Sequence, residues 1–252
     1  MSSELNLTDC LIIHLNRSLE RKAQVRQLTK KLPYQTKVVE AIDGSKPGYD
    51  FSKNYTPKLL RPHYPFTLRP AEVATFQSHR KCWQEILDRE LEAALIIEDD
   101  VDINNGSFTA AVKLAMEEIK MGDLIRFPIK PREKPRNKSI TRDNISIFEP
   151  TLVGLGMQAQ IVTYDAAKQL LKKTEYFDRP VDVYIQLRWD HEVRVLTLWP
   201  NGVLERSSSL GGSLIGKEKD IVDILRRELL RPLYRAKINI YAHVKKSNDS
   251  LH

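Results

Sequence analysis

The chain has 252 residues, 41% hydrophobic and 29% charged, with a formal net charge of +7, and one α/β domain with a sizeable core fits that length. No apolar stretch nears the roughly 20 residues of a membrane-spanning helix, and the opening Met1-Ser2-Ser3-Glu4 lacks the basic-then-apolar layout of a secretion signal, so a cytosolic protein is expected. Cys10 and Cys82 offer neither metal-ligand spacing nor a disulfide framework, and no ribonucleoprotein motif, zinc finger or Gly-rich clamp accompanies the basic excess, so nucleic acid is not the expected partner.

Residues 10–15 are a short apolar run, predicted as a strand, and Ser18 is placed to cap a helix over 19–32. Residues 37–42 read as a second strand closed by Asp43-Gly44. The stretch to Pro70 is rich in Pro, Tyr and Lys without periodicity, and reads as a long surface loop of the kind that closes over a ligand. From Ala71 to about Glu90, Val73, Phe76, Trp83, Ile86 and Leu87 recur at helical spacing, with Ser78 and His79 inside the segment and Glu72 placed to cap it. The run Ala93-Ala94-Leu95-Ile96-Ile97 then ends abruptly in Glu98-Asp99-Asp100.

Carboxylates at the carboxyl end of a buried strand face the crevice where open α/β sheets bind ligands. Strand alternation sends Glu98 and Asp100 to one face and Asp99 to the other, so the first pair can converge on one divalent cation bridging a nucleotide diphosphate. The plainer alternative is that the acids solvate the strand tip and cap the next segment. A calcium loop is excluded, because Gly106 comes one residue late and Ala111 stands where the closing Glu belongs.

Further on, a helix is predicted over 108–120 and a strand over 123–128. The Pro-rich basic segment 130–143 reads as a mobile flap. Strands come next at 146–149 and 160–163 with Gly154-Leu155-Gly156 between them, then helices over 165–174 and 181–188 and a strand over 193–199. Ser207, Ser208 and Ser209 with Gly211-Gly212 either close over a diphosphate or form a linker. The order predicts a single-domain, Rossmann-type α/β sandwich on a mixed sheet over residues 1–215, then a basic amphipathic tail over 216–252. That tail can lie on an anionic membrane surface or pack on its own domain.

Taken together, Ile12-Ile-His-Leu-Asn-Arg-Ser-Leu-Glu-Arg21, Glu40-Ala-Ile-Asp-Gly44, Ala71-Glu-Val-Ala-Thr-Phe-Gln-Ser-His79, Ala94-Leu-Ile-Ile-Glu-Asp-Asp-Val101, Gly154 to Leu171, Pro180-Val-Asp182 and Leu198-Trp-Pro200 occur in the order of a known family. The chain resembles glycosyltransferase family 25, which includes bacterial lipopolysaccharide and lipooligosaccharide galactosyltransferases. Ala74 departs from a glycine usual in the third motif, and the loops around Pro57 and Lys130 match no family signature.

The resemblance implies a GT-A-like fold, a nucleotide-sugar donor (first of all a UDP-sugar carrying galactose), a divalent metal (Mn2+ or Mg2+) and inversion at the anomeric carbon. It further implies a glycolipid or oligosaccharide acceptor, such as a lipopolysaccharide core. His14, Leu15, Asn16, Arg17, Arg21, Ser78, His79 and Asp99 are then expected around the donor, with Glu98 and Asp100 on the metal. Arg17 and Arg21 suit a diphosphate because guanidinium binds phosphate bidentately, although exposed helix-start charges would look the same. Asp182 is the expected base for the acceptor hydroxyl, or alternatively a helix N-cap after Pro180. Asp190 and His191 are the next candidates, His191 also for the metal shell. The expected protein is a cytoplasmic, membrane-peripheral hexosyltransferase at the inner membrane; a nucleotide-sugar-binding scaffold without turnover is the alternative.

Overall fold

The computed structural model describes residues 5–206 and 221–249, with side chains in the last segment described from 228 to 242. The chain opens with β1 (Leu7–His14), a 3-10 turn, α1 (Lys22–Lys31) and β2 (Gln35–Glu40). A long irregular stretch precedes α2 (Pro70–Asp88), then come β3 (Ala93–Glu98), β4 (Val101–Ile103), α3 (Asn105–Glu118) and β5 (Asp123–Arg126). After β6 (Ile140–Arg142), β7 (Ile145–Phe148) and β8 (Ala159–Thr163) come α4 (Tyr164–Lys173), the short α5 (Val181–Ile185) and α6 (Arg188–His191), β9 (Arg194–Trp199), β10 (Val203–Glu205) and α7 (Ile221–Asp249).

The main sheet has the order β2-β1-β3-β8-β5-β9-β7-β6. β1 runs parallel to β2 and β3, whereas β8 is antiparallel to both β3 and β5, so the sheet is mixed as the sequence predicts. Residues of β3 from Ala93 to Ile97 are almost wholly buried because helices cover both faces. Leu11, Ile13, Ala94 and Ile96 pack towards the α2 and α4 side with Phe76, Trp83 and Leu170. Cys10, Ile12, Leu95 and Ile97 pack the other way, against Val25 and Leu28 of α1 and Phe108 of α3. Both cysteines are buried and free, and burial raises both thiols.

Three expectations need correction. Ser18 does not cap a continuous helix: its side chain makes no capping bond, Leu19–Arg21 form a 3-10 turn, and α1 starts only at Lys22. The helix expected over 181–188 breaks at Leu187, which leaves helical geometry at φ −84° and ψ 58° before α6.

Third, residues 130–143 are not a flap. The Glu133 side chain is 2% exposed and ion-paired with the equally buried Arg126, while Arg136 N–H donates to Glu149 O at 2.7 Å and Thr151 N–H to Lys134 O at 2.8 Å. One carboxylate that finds a cation inside the domain outweighs the loop-forming composition around it. The small sheet β4–β10 was not anticipated, since each strand has only three residues.

α7 packs on the domain through Tyr234 and Ile238, 7% and 1% exposed, which meet Val183, Leu152 and Trp189. The expected boundary at 215/216 and the serine cluster at 207–209 lie outside the described residues. Among the described residues no helix is long and apolar enough to cross a membrane.

Candidate active site

A cleft of about 600 Å3 opens at the carboxyl ends of the parallel strands β2, β1 and β3, where a sheet of this kind leaves backbone groups and loops facing outward. Leu15 and Arg17 enter it from the end of β1, Asp43 and Gly44 from the end of β2, and Glu98, Asp99 and Asp100 from the end of β3, while Ser78 and His79 reach it from α2. Gly44 has no room for a side chain: a Cβ there would lie 2.6 Å from Pro70 O at the start of α2. The N-terminus of α2 is fixed by a capping box in which Glu72 accepts from Arg69 N–H at 2.8 Å, the capping role expected for Glu72.

The three acids have different surroundings. Asp99 is 6% exposed and turns to the α1 side, where it accepts from His14 Nδ1–H at 2.6 Å and from Arg21 Nη1–H at 2.7 Å. Glu98 turns the other way, 25% exposed, and accepts from His79 Nε2–H at 3.1 Å. That proton assignment rests on Gln160, whose amide donates to His79 Nδ1 at 3.2 Å and so leaves the ring proton on Nε2. Asp100 is 20% exposed and 3.8 Å from Arg21, and its Oδ1 is buried without a hydrogen-bond partner. Desolvation, then the charge of Glu98, lifts its carboxyl to about 7.

The remaining expected residues divide. Arg17 is half exposed and donates to Asp43 at 2.8 Å, a partner that an incoming phosphate can replace. The Ser78 hydroxyl donates to Ala74 O and accepts from Ile42 N–H, so it fastens the start of the long loop to α2. His14 is buried behind Asp99, and its contact with the cleft runs through that carboxylate; Asn16 is exposed and outside the lining.

Asp182 lies in the first turn of α5, where it accepts from Gly156 N–H at 3.0 Å and Val183 N–H at 2.8 Å. Burial pushes its carboxyl up, against the lowering effect of those two amides. Asp182 is not among the residues lining the cleft, and the alternatives Asp190 and His191 are likewise engaged away from it. Asp190 accepts from Tyr184 OH at 2.8 Å. His191 donates from Nε2 to Ile185 O and accepts on Nδ1 from Val193 N–H, and burial lowers its pKa to about 4.

Sequence reasoning missed Asp43, Arg69 and Gln158, which also line the cleft. Asp43 had a signal, since it closes the predicted strand 37–42, although β2 itself stops at Glu40. Gln158 had none, because it precedes a strand and reaches the cleft only through the reversed direction of β8.

A family model described as "Glycosyltransferase family 25 (LPS biosynthesis protein)" matches residues 7–185. Among curated proteins, the chain is 32% identical over 126 residues to "Procollagen galactosyltransferase 2" of Mus musculus, covering 48% of this chain and 20% of that protein. It is 25% identical over 204 residues to "Inactive glycosyltransferase 25 family member 3" of Mus musculus, covering 75% of this chain and 33% of that one. The "Glycosyltransferase 25 family member" of Anopheles gambiae is 23% identical over 195 residues, with 75% and 33% covered. The chain thus spans a fifth to a third of the length of these relatives.

Proposed function

The chain belongs to glycosyltransferase family 25, and from that premise we propose that it moves a hexose, galactose first, from a UDP-sugar to a lipopolysaccharide or lipooligosaccharide core or a similar surface glycan, with inversion. The observation that carries this reading is the convergence of Glu98, Asp99, Asp100, Arg17 and Arg21 on one cleft of nucleotide-sugar size. Arg17 and Arg21 bind the diphosphate. The acceptor oxygen bonds to the anomeric carbon as the bond from that carbon to the diphosphate oxygen breaks, the electron pair leaving with the nucleotide and the hydroxyl proton passing to Asp182.

A divalent cation, Mn2+ or Mg2+, fits Asp100 and Glu98. The unpartnered Oδ1 and the raised carboxyl of Asp100 describe a negative charge that Arg21, 3.8 Å away, does not fully compensate. Among the described residues no group of three His, Cys, Asp or Glu is arranged to hold a metal, so donor phosphates and water would complete the shell, as is usual for Mg2+. When bound, the ion would neutralise charge developing on the departing diphosphate.

α7 supports a place at an anionic membrane surface. Leu229, Leu233 and Ile240 are 71%, 60% and 59% exposed and share one helix face, four and seven residues apart, with Arg231, Arg235 and Lys237 on the same helix. We therefore place the protein on the cytoplasmic face of the inner membrane. The test of the function is purified protein with Mn2+ and UDP-galactose, read by mass spectrometry. Release of galactose or its transfer to a glycan is expected, and donor hydrolysis unchanged in Asp100→Ala refutes the metal role. UDP-galactose binding without any turnover would favour the scaffold reading, which the inactive relative keeps open.

A further inference from the structure

Next to the cleft lies a second recess of about 160 Å3, and Gln158 belongs to the walls of both. Gln158 stands beside the acids, since its carbonyl accepts from Glu98 N–H at 2.8 Å. Arg17 and Arg21 line the cleft and not the recess, so a group seated in the recess approaches Gln158 from outside the proposed diphosphate site. Transfer requires an acceptor that reaches the donor from outside the diphosphate site, and inversion further requires attack opposite the leaving group.

The recess has fixed walls. Glu133 is held there by Arg126 and by Gly154 N–H. A Cβ at Gly154 would come within 2.7 Å of Glu133 Oε1, and one at Gly156, where φ is +100°, within 2.5 Å of Gln158 Oε1. The two glycines are therefore what allows Glu133 and Gln158 to occupy their places. Arg126 also donates to Gly156 O at 2.7 Å, which ties the glycine loop to the same buried guanidinium.

The electrostatics favour an anion. Arg126 compensates Glu133, and residues 130–143 carry six Lys or Arg against two Asp or Glu. Arg136 and Arg142 are paired with Glu149, Glu117 and Glu118, away from the recess. Lys130, Arg132 and Glu205 all stand in its wall; Glu205 is 3.8 Å from Lys130 and balances it, which leaves Arg132 as the wall cation in excess.

We propose that this recess seats the acceptor saccharide, and that Arg132 selects one carrying an acidic group, a carboxylate or a phosphate ester, near the hydroxyl to be glycosylated. The proposal rests on the glycosyltransferase reading of the adjoining cleft and adds the substrate class. A cation at a half-open rim gives the acidic sugar a charge-assisted contact that a neutral one lacks.

The experiment measures binding of p-nitrophenyl β-glucuronide, p-nitrophenyl β-glucoside 6-phosphate and neutral p-nitrophenyl β-glucoside to UDP-saturated protein by NMR titration. At least one anionic glycoside should bind about tenfold more tightly than the neutral one, and which one does so separates the carboxylate from the phosphate ester. Arg132→Glu should abolish that preference, and Leu155→Trp, a change at a side chain 41% exposed, should weaken all glycosides while leaving UDP affinity unchanged. Equal binding of neutral and anionic sugars, no binding of any, or indifference to both substitutions overturns the proposal. If wild-type protein also fails to bind UDP or to hydrolyse UDP-galactose, the reading of the cleft falls with it; if it does both, only the recess is lost.

Discussion

Two buried charge clusters show opposite design. At the root of the long loop, Arg179 is wholly buried and every one of its nitrogens has a partner: Nε and Nη2 donate to Asp178, Nη1 to Tyr234 OH, and Nη2 also to Leu60 O and Pro62 O. At the tip of β3, Asp100 keeps a buried oxygen with no partner and a carboxylate neighbour of its own sign. A buried charge whose bonds are complete inside the chain holds the fold together; one left incomplete marks where a ligand is expected to complete it.

The largest effect should come from breaking the completed cluster. Arg179→Leu leaves Asp178 ionised and unpaired in the core, so urea unfolding should show a loss of about 3–5 kcal/mol. Asp100→Asn, by contrast, removes a charge that burial and Glu98 disfavour more than Arg21 favours it, and stability at pH 7 should hold or rise. If both substitutions destabilise equally, the contrast between the clusters is wrong.

A smaller effect sharpens the second half of the comparison. The folded chain keeps a proton on Asp100 up to about pH 7, whereas a carboxyl at the ordinary value of 3.8 has already released it in the unfolded chain. The folded state therefore binds more protons across that interval, and the Asp100 contribution makes stability fall as pH rises from 4 to 7. Mn2+ competes with the proton, so at pH 7 it should raise the melting temperature of the wild type and leave that of Asp100→Asn unmoved. The smallest effect is expected at Ser18, whose buried hydroxyl has no partner: Ser18→Ala should shift stability by less than about 0.5 kcal/mol, against about 1 for a working cap.

Much of this was legible in the sequence where local periodicity decides. The apolar run to Ile97 set the position of β3, and simple alternation sent Glu98 and Asp99 to opposite faces, as found against His79 and His14. What escaped depends on contacts distant in sequence. Nothing around Glu133 indicates that Arg126 will bury it, and nothing around Asp182 says that Gly156, 26 residues earlier, will occupy its carboxylate. Arg179 falls just outside the Pro180-Val-Asp182 motif and carries no signal of its own, yet it joins Leu60 to Tyr234, 119 and 55 residues away.

The reversed direction of β8 has an evolutionary corollary. Because this strand runs against β3, the segment leading into it, rather than the one leaving it, arrives beside Glu98. If the cleft takes the donor and the recess the acceptor, donor contacts would come mostly from residues up to Asp100 and acceptor contacts mostly from 128–158, with Gln158 shared by both, two passages of text that recombination or drift could edit largely separately. On that reading, descendants of such a chain could change what they decorate while keeping most of what they decorate it with.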